Sequence, residues 1–131
     1  TSQENGLLRI MDLATHFFDL DVGRTMVLGC HDLTVFNPRS KNAVGWRKKV
    51  NEDFLKMAKD QKPLYVLHHP HTTVKRRTWW NAWQHLQKTL PSVRQYAGAG
   101  CYFEADRRRS WDPIKEVLSA TKKGETIDFI V

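Results

Sequence analysis

The chain has 131 residues, of which 40% are hydrophobic, and it carries a formal net charge of +7. This size and apolar content predict one compact domain over residues 1–131 with a buried core. The positive charge favours polyanionic partners such as nucleic acid, nucleotides or phosphorylated metabolites. No segment approaches the roughly 18 apolar residues of a membrane span, so a membrane protein is not expected.

Two cysteines, Cys30 and Cys101, are too few and too far apart for a disulfide framework or a zinc ribbon. No signal peptide is recognisable at the amino end, and a reducing, cytoplasmic setting is therefore expected. The chain begins at Thr1 without Met, which leaves a longer parent chain as an alternative. The sequence leaves the oligomeric state open.

The first half of the chain alternates between helix and strand patterns. Apolar residues keep the helical period over residues 7–18, and the Asp21-Val22-Gly23 segment is expected to end this helix. Continuous hydrophobicity predicts a buried strand over 25–30. Residues 34–45 are predicted to form a long loop, and residues 46–58 present one apolar helical face before Lys62-Pro63 stops the helix.

The second half continues this alternation. Residues 64–67 form a second apolar strand, and Thr78 is a predicted N-cap for a helix with an apolar stripe from Trp79 to Leu90. A third strand is expected within 93–103. A last helix, opened by Asp112 and Pro113, and a final strand over 127–131 complete the chain.

Strands that alternate with helices predict an α/β fold, and we expect a three-layer sandwich with a mostly parallel sheet and helices on both faces. In such sheets ligands bind beyond the carboxyl ends of the strands. That rule brings together the loops after the first, second and third internal strands. These loops carry most of the side chains that are able to take part in catalysis or ligand binding.

The second strand leads into the His68-His69-Pro70-His71 tetrad, and the first leads into His31 and Asp32. Imidazole is a metal ligand and a proton shuttle near pH 7, so these residues predict a metal or acid–base site. Neighbours on an extended chain face opposite sides, so at most two of the three tetrad histidines are expected in one site. We assign His31, Asp32 and His69 as catalytic candidates. His68 and His71 are candidate ligands of a divalent metal, for which Zn, Mn or Fe suits His and Asp better than Mg.

Polar and basic residues in the same loops predict an anionic ligand. Asn37 and Arg39 supply an amide and a guanidinium on the long loop, and Thr72 supplies a hydroxyl. Lys75, Arg76 and Arg77 form one basic run, and residues 107–109 form a second. Cations next to Trp80 and Trp111 are typical of surfaces that bind a nucleic-acid backbone and stack bases. A solvated surface is the ordinary alternative for each single residue.

The Gly29-Cys30-His31-Asp32 and His68-His69-Pro70 segments resemble two blocks of the calcineurin-like metallophosphoesterases. The resemblance covers about a third of the chain, and Cys30 stands where that family has a metal-binding Asn. It implies that His31 is the acid near the leaving group and that His68 or His69 is a metal ligand.

These observations predict a phosphoester hydrolase, metal-dependent or not, that acts on a nucleotide or a nucleic acid. The alternative is a non-catalytic α/β module that binds such a ligand through the same loops, with the histidines in structural roles. A stoichiometric metal favours the hydrolase, and salt-sensitive binding without turnover favours the module.

Overall fold

The computed structural model describes residues 12–69, 76–102 and 124–130. Its strands are β1 (Phe17–Leu20), β2 (Gly23–Gly29), β3 (Tyr65–His69), β4 (Gln95–Tyr102) and β5 (Gly124–Ile130). Its described helices are α1 (Gly45–Gln61) and α2 (Arg76–Thr89). The five strands form one sheet in the order β1-β2-β3-β4-β5. The β1–β2 pair is antiparallel and the other three pairs are parallel, so the sheet is mixed and the α/β class is confirmed.

The core lies between one face of the sheet and the helices. Residues at alternate positions of the central strands, among them Met26, Leu28, Val66 and Tyr96, are fully buried there and belong to one hydrophobic cluster with the inner faces of α1 and α2. On the opposite face, Leu67 keeps 40% of its surface exposed. The predicted three-layer sandwich with helices on both faces is not confirmed by the described part of the chain.

Helix α1 confirms the helix predicted over 46–58. Phe54 and Ala58 are buried on its inner face, and its outer face carries ion pairs one turn apart, such as Lys49 with Asp53 at 2.6 Å. The helix ends where Lys62 adopts a left-handed conformation at φ 47°. Pro63 follows and cannot continue the helical hydrogen bonds.

Helix α2 confirms the predicted apolar stripe, because Trp79, Trp83 and Leu86 are buried. The predicted N-cap is wrong, since the helix begins at Arg76 and Thr78 lies inside its first turn. The predicted loop over 34–45 is built from two 3₁₀ turns, Asp32–Phe36 and Pro38–Asn42. The first of these turns buries Leu33, Val35 and Phe36, so the segment is packed rather than extended over the surface.

The helix predicted over residues 7–18 is wrong at its carboxyl end. Leu13–His16 is a single 3₁₀ turn and Phe17–Leu20 is strand β1. The physical reason is tertiary: β1 pairs its backbone with β2, and the Phe17 ring packs 5.9 Å from that of Phe54. The earlier part of this prediction, and the helix predicted from Asp112, lie outside the described residues.

Candidate functional site

The parallel strands bring their carboxyl ends to one edge of the sheet, here called the carboxyl edge: Gly29 of β2, His69 of β3 and Tyr102 of β4. Gly29 pairs with His69, and Leu28 pairs with His68. The segments that carry His31 and the tetrad therefore follow neighbouring parallel strands, as predicted. This is the edge at which open α/β sheets bind ligands.

His68 faces the core rather than the solvent. Only 2% of its surface is exposed, and its ring centroid lies 5.3 Å from that of Trp79 and 5.5 Å from that of Trp83. Burial lowers the pKa of His68 to about 4, and the nearby Cys30 backbone and Asp32 charge offset this only in part. Within the described residues neither ring nitrogen has a partner in hydrogen-bonding geometry. The His68 imidazole is therefore enclosed by the core and is neutral at neutral pH.

His69 has the opposite orientation because side chains alternate along a strand. It is exposed at the end of β3, and His31 is exposed two residues beyond the end of β2. The prediction that the tetrad histidines do not share one direction is thus confirmed for His68 and His69. These two exposed imidazoles at the ends of adjacent strands are the groups able to meet a ligand at the carboxyl edge.

Asp32 is held by its own chain. Its Oδ2 atom accepts a hydrogen bond from the Gly29 amide at 2.7 Å and lies 3.4 Å from Nε2 of His16. Burial disfavours the Asp32 anion, but the hydrogen bonds from His16 and Gly29 outweigh this and lower its pKa. A side chain at Gly29 would meet the carboxylate, since a Cβ there lies 3.0 Å from Oδ2. Asp32 therefore fixes the turn that carries His31.

His16 is the partner that the sequence did not reveal. The described side-chain contact of Asp32 is with His16, while its charge also acts on the nearby tetrad residue His68. The Nδ1 atom of His16 lies 3.2 Å from the Leu13 carbonyl, and its ring packs against Phe54 with centroids 5.0 Å apart. The Asp32 hydrogen bond raises the pKa of His16 despite its burial. The pairing of β1 with β2 helps to bring the two residues together, and no local motif signals that pairing.

Asn37 links the loop segment that carries Arg39 to the first turn of α2, which carries Arg77. It is 6% exposed. Its Oδ1 atom accepts from the Arg39 amide at 3.0 Å, and its Nδ2 atom donates to the Thr78 carbonyl at 2.9 Å. The amide is thus used inside the protein, while the neighbouring side chains of Arg39 and Arg77 are exposed. The contact holds two guanidinium-bearing segments side by side.

Several predicted site residues lie outside the described part of the chain. These are His71, Thr72, Lys75, the basic run over residues 107–109 and Trp111, together with the side chain of Arg76, whose backbone opens α2. Within the described ranges, no group of three or more His, Cys, Asp or Glu residues is placed to hold a metal ion. His68, the described member of the predicted metal pair, is enclosed by tryptophan rings. The described residues therefore do not by themselves fit a metal centre.

No protein-family model, curated protein or solved structure matches the chain. Among the described residues, no helix combines the length and apolar character needed to cross a membrane. The resemblance to calcineurin-like metallophosphoesterases stays a prediction.

Proposed function

We propose that this protein binds the phosphate groups of a nucleotide or nucleic acid at its carboxyl edge and hydrolyses a phosphoester there. The observation that carries the proposal is the pairing of Gly29 with His69 in parallel strands, which places exposed His31 and His69 on one edge of the sheet. Open α/β sheets bind their ligands at this edge. The Asn37 contact adds Arg39 and Arg77 to the same region.

The residue types suit hydrolysis of a phosphoester. One imidazole accepts a proton from the attacking water, and the other donates a proton to the leaving oxygen. Guanidinium groups bind phosphate oxygens through two parallel hydrogen bonds and stabilise the charge that develops in the transition state. His31 in the role of acid agrees with what the resemblance implies. His69, a catalytic candidate from the sequence, takes the role of the base.

The described residues do not by themselves form a metal centre, so we assign the two proton transfers to His31 and His69 without a metal. Zn, Mn or Fe was expected from the mixture of His and Asp. His68 is buried, and Asp32 is engaged by Gly29 and His16. Elemental analysis of the purified protein tests the expected metal directly.

The test is hydrolysis of bis-p-nitrophenyl phosphate and of nucleotides by the purified protein and by the His31→Ala and His69→Ala variants. Loss of an acid or base lowers the rate by about 10²- to 10⁴-fold. His85→Ala is the matched control. This histidine lies in the second half of α2, away from the start of the helix at the carboxyl edge. Equal activity of all four proteins removes His31 and His69 from the mechanism. Absence of turnover in the wild-type protein removes the hydrolase.

A non-catalytic binding module is the second candidate. It is favoured by the internal engagement of Asp32 and by the burial of His68 between Trp79 and Trp83. These contacts give two of the predicted chemical groups structural roles. Binding of ATP or pyrophosphate that weakens with salt, without any turnover, identifies this function.

A further inference from the structure

Two long segments of the chain contain no carboxylate. Fourteen Asp and Glu residues are present in all, yet none lies between positions 33 and 51 or between 61 and 103. Helix α2 lies wholly in the second segment, and Asn37 joins it to the first. Helix α1 differs, because the lysines of its outer face pair with Glu52, Asp53 and Asp60. The cations of α2 have no acidic residue on their own helix.

Trp80 is the tryptophan of α2 that does not belong to the buried core. Trp79 and Trp83 are buried, whereas Trp80 keeps 37% of its surface exposed. Arg77 lies three residues before it, so the guanidinium and the indole are neighbours on the helix surface. The outer face of α2 continues with residues capable of hydrogen bonding or carrying positive charge. The α2 outer face consists of Arg77, Trp80, Asn81, Gln84 and Lys88.

This face leads away from the carboxyl edge. A helix that follows a parallel strand begins at the carboxyl end of that strand, and α2 follows β3. The Asn37 bond to Thr78 places the exposed Arg39 beside the first turn of α2. A polyanion with one phosphate at the carboxyl edge therefore has a cationic surface along which to continue.

We infer that the α2 outer face binds single-stranded nucleic acid, with Trp80 stacked on a base and Arg77 and Lys88 in contact with the backbone. This inference rests on the proposed function and specifies its substrate class. An indole stacks only on a base that is not already stacked in a duplex, so the ligand is a single strand. The positive charge of the face, which has no acidic residue on the same helix, complements the phosphates of the strand.

The test measures the affinity of the full chain for a fluorescein-labelled oligothymidylate of about twelve nucleotides. The Trp80→Ala variant is expected to bind roughly 5- to 150-fold more weakly, which is the usual effect of removing one stacked base. Trp80→Phe keeps an aromatic face and is expected to retain most of the affinity. Lys59→Gln, which removes an exposed charge from α1, is the matched control and should bind like the wild-type protein.

Tryptophan fluorescence supplies a second measurement. The oligonucleotide should quench part of the emission of the wild-type protein, and that part should be missing in Trp80→Phe. Thermal unfolding of each variant controls for folding, and Trp80→Phe should unfold close to the wild-type protein because it keeps a ring at a position that is only 37% exposed. Equal affinity of wild-type and Trp80→Ala for the oligonucleotide overturns the stacking role.

Binding of pyrophosphate or hydrolysis of bis-p-nitrophenyl phosphate separates this inference from the proposed function. If the wild-type protein processes or binds these small compounds but does not bind the oligonucleotide, the single-strand surface is wrong and the phosphate site stands. If it binds neither kind of ligand, both are wrong. Stronger binding of a duplex than of either of its strands also contradicts the inference.

Discussion

At the scale of single residues, the contacts of Asp32 with the Gly29 amide and with His16 hold the turn after β2. The Asp32→Asn substitution removes the charge that stabilises the His16 imidazolium and weakens the hydrogen bond from the Gly29 amide. We expect a loss of roughly 1 to 3 kcal/mol in the free energy of unfolding, measured by urea denaturation. Asp53→Asn, which breaks a solvent-exposed pair with Lys49 on α1, should cost clearly less, because water and salt screen such a pair.

The pH dependence of the Asp32–His16 pair follows from the pKa shifts of its two members. The pKa of Asp32 is lowered from 3.8, so its contribution is present above that pH and is lost as the pH falls through the folded value. The pKa of His16 is raised from 6.5, so its contribution is complete below 6.5 and is lost as the pH rises through the folded value. The difference in stability between wild-type and Asp32→Asn should therefore be largest between these limits. An equal difference at all pH values contradicts the ion pair.

His68 predicts a further loss of stability as the pH falls, in the direction opposite to the loss expected from His16. Its pKa falls from 6.5 in the unfolded chain to about 4 in the folded protein, so the unfolded state binds the proton first as the pH falls. The contribution of this residue to stability should decline by on the order of 2 to 3 kcal/mol between those values. His68→Phe keeps a ring between Trp79 and Trp83 and should remove this decline.

The measurement for His68 is the free energy of unfolding of wild-type and His68→Phe at several pH values from neutral to acidic. His69→Phe is the matched control, since this residue is exposed. The control should keep the pH dependence of the wild-type protein. Identical curves for all three proteins would show that the His68 imidazole is solvated.

At the scale of elements, Asn37 ties the 3₁₀ turn at Pro38–Asn42 to helix α2. Asn37→Ala leaves the Thr78 carbonyl and the Arg39 amide without these partners, and a loss of about 1 to 3 kcal/mol is expected. Because Arg39 and Arg77 are then no longer held together, affinity for pyrophosphate should also fall. Asn42→Ala, at an exposed position of the same turn, should change neither property. A loss of stability with unchanged affinity would mean that the contact does not organise the phosphate site.

The sequence predicted most elements because their patterns are local. The period of α1 and the stripe of α2 follow from which residues are apolar, and Pro63 marks where α1 has ended. Strand β1 escaped prediction because Phe17 and Phe18 continue a helical pattern, while the pairing with β2 that makes them a strand is a tertiary contact. At Phe17–Leu20 the local apolar pattern favours a helix, but pairing with β2 stabilises a strand.

The candidate site was predictable in position but not in orientation. The rule for parallel strands placed His31 and the tetrad at one edge. Strand β3 is apolar at every position from Tyr65 to Leu67, so alternation could not reveal which side faces the helices. The structure buries Val66 and His68 and exposes Leu67 and His69. That choice decided which histidine is enclosed and which can meet a ligand.

At the scale of the whole molecule, the uneven distribution of charge predicts how binding responds to salt. Each phosphate contacted on a single strand contributes about 0.7 to the slope of log affinity against log salt concentration. The Arg39→Gln/Arg77→Gln double variant should therefore reduce this slope by about 1.4 for oligothymidylate. Lys59→Gln should leave the slope unchanged. A wild-type slope that the double variant does not alter would place the phosphate contacts elsewhere.

The order of the strands has a consequence for how the chain acquires its fold. Each described strand pairs with the one before it along the chain, so no strand must be inserted between two that are already joined. During synthesis, β3 can add to β2 as soon as α1 has emerged, and β4 can add to β3 after α2. Every intermediate then exposes the edge of the strand added last, and this edge is open to association with another chain until the next strand covers it. The growing edge is therefore where we expect a nascent chain to need protection.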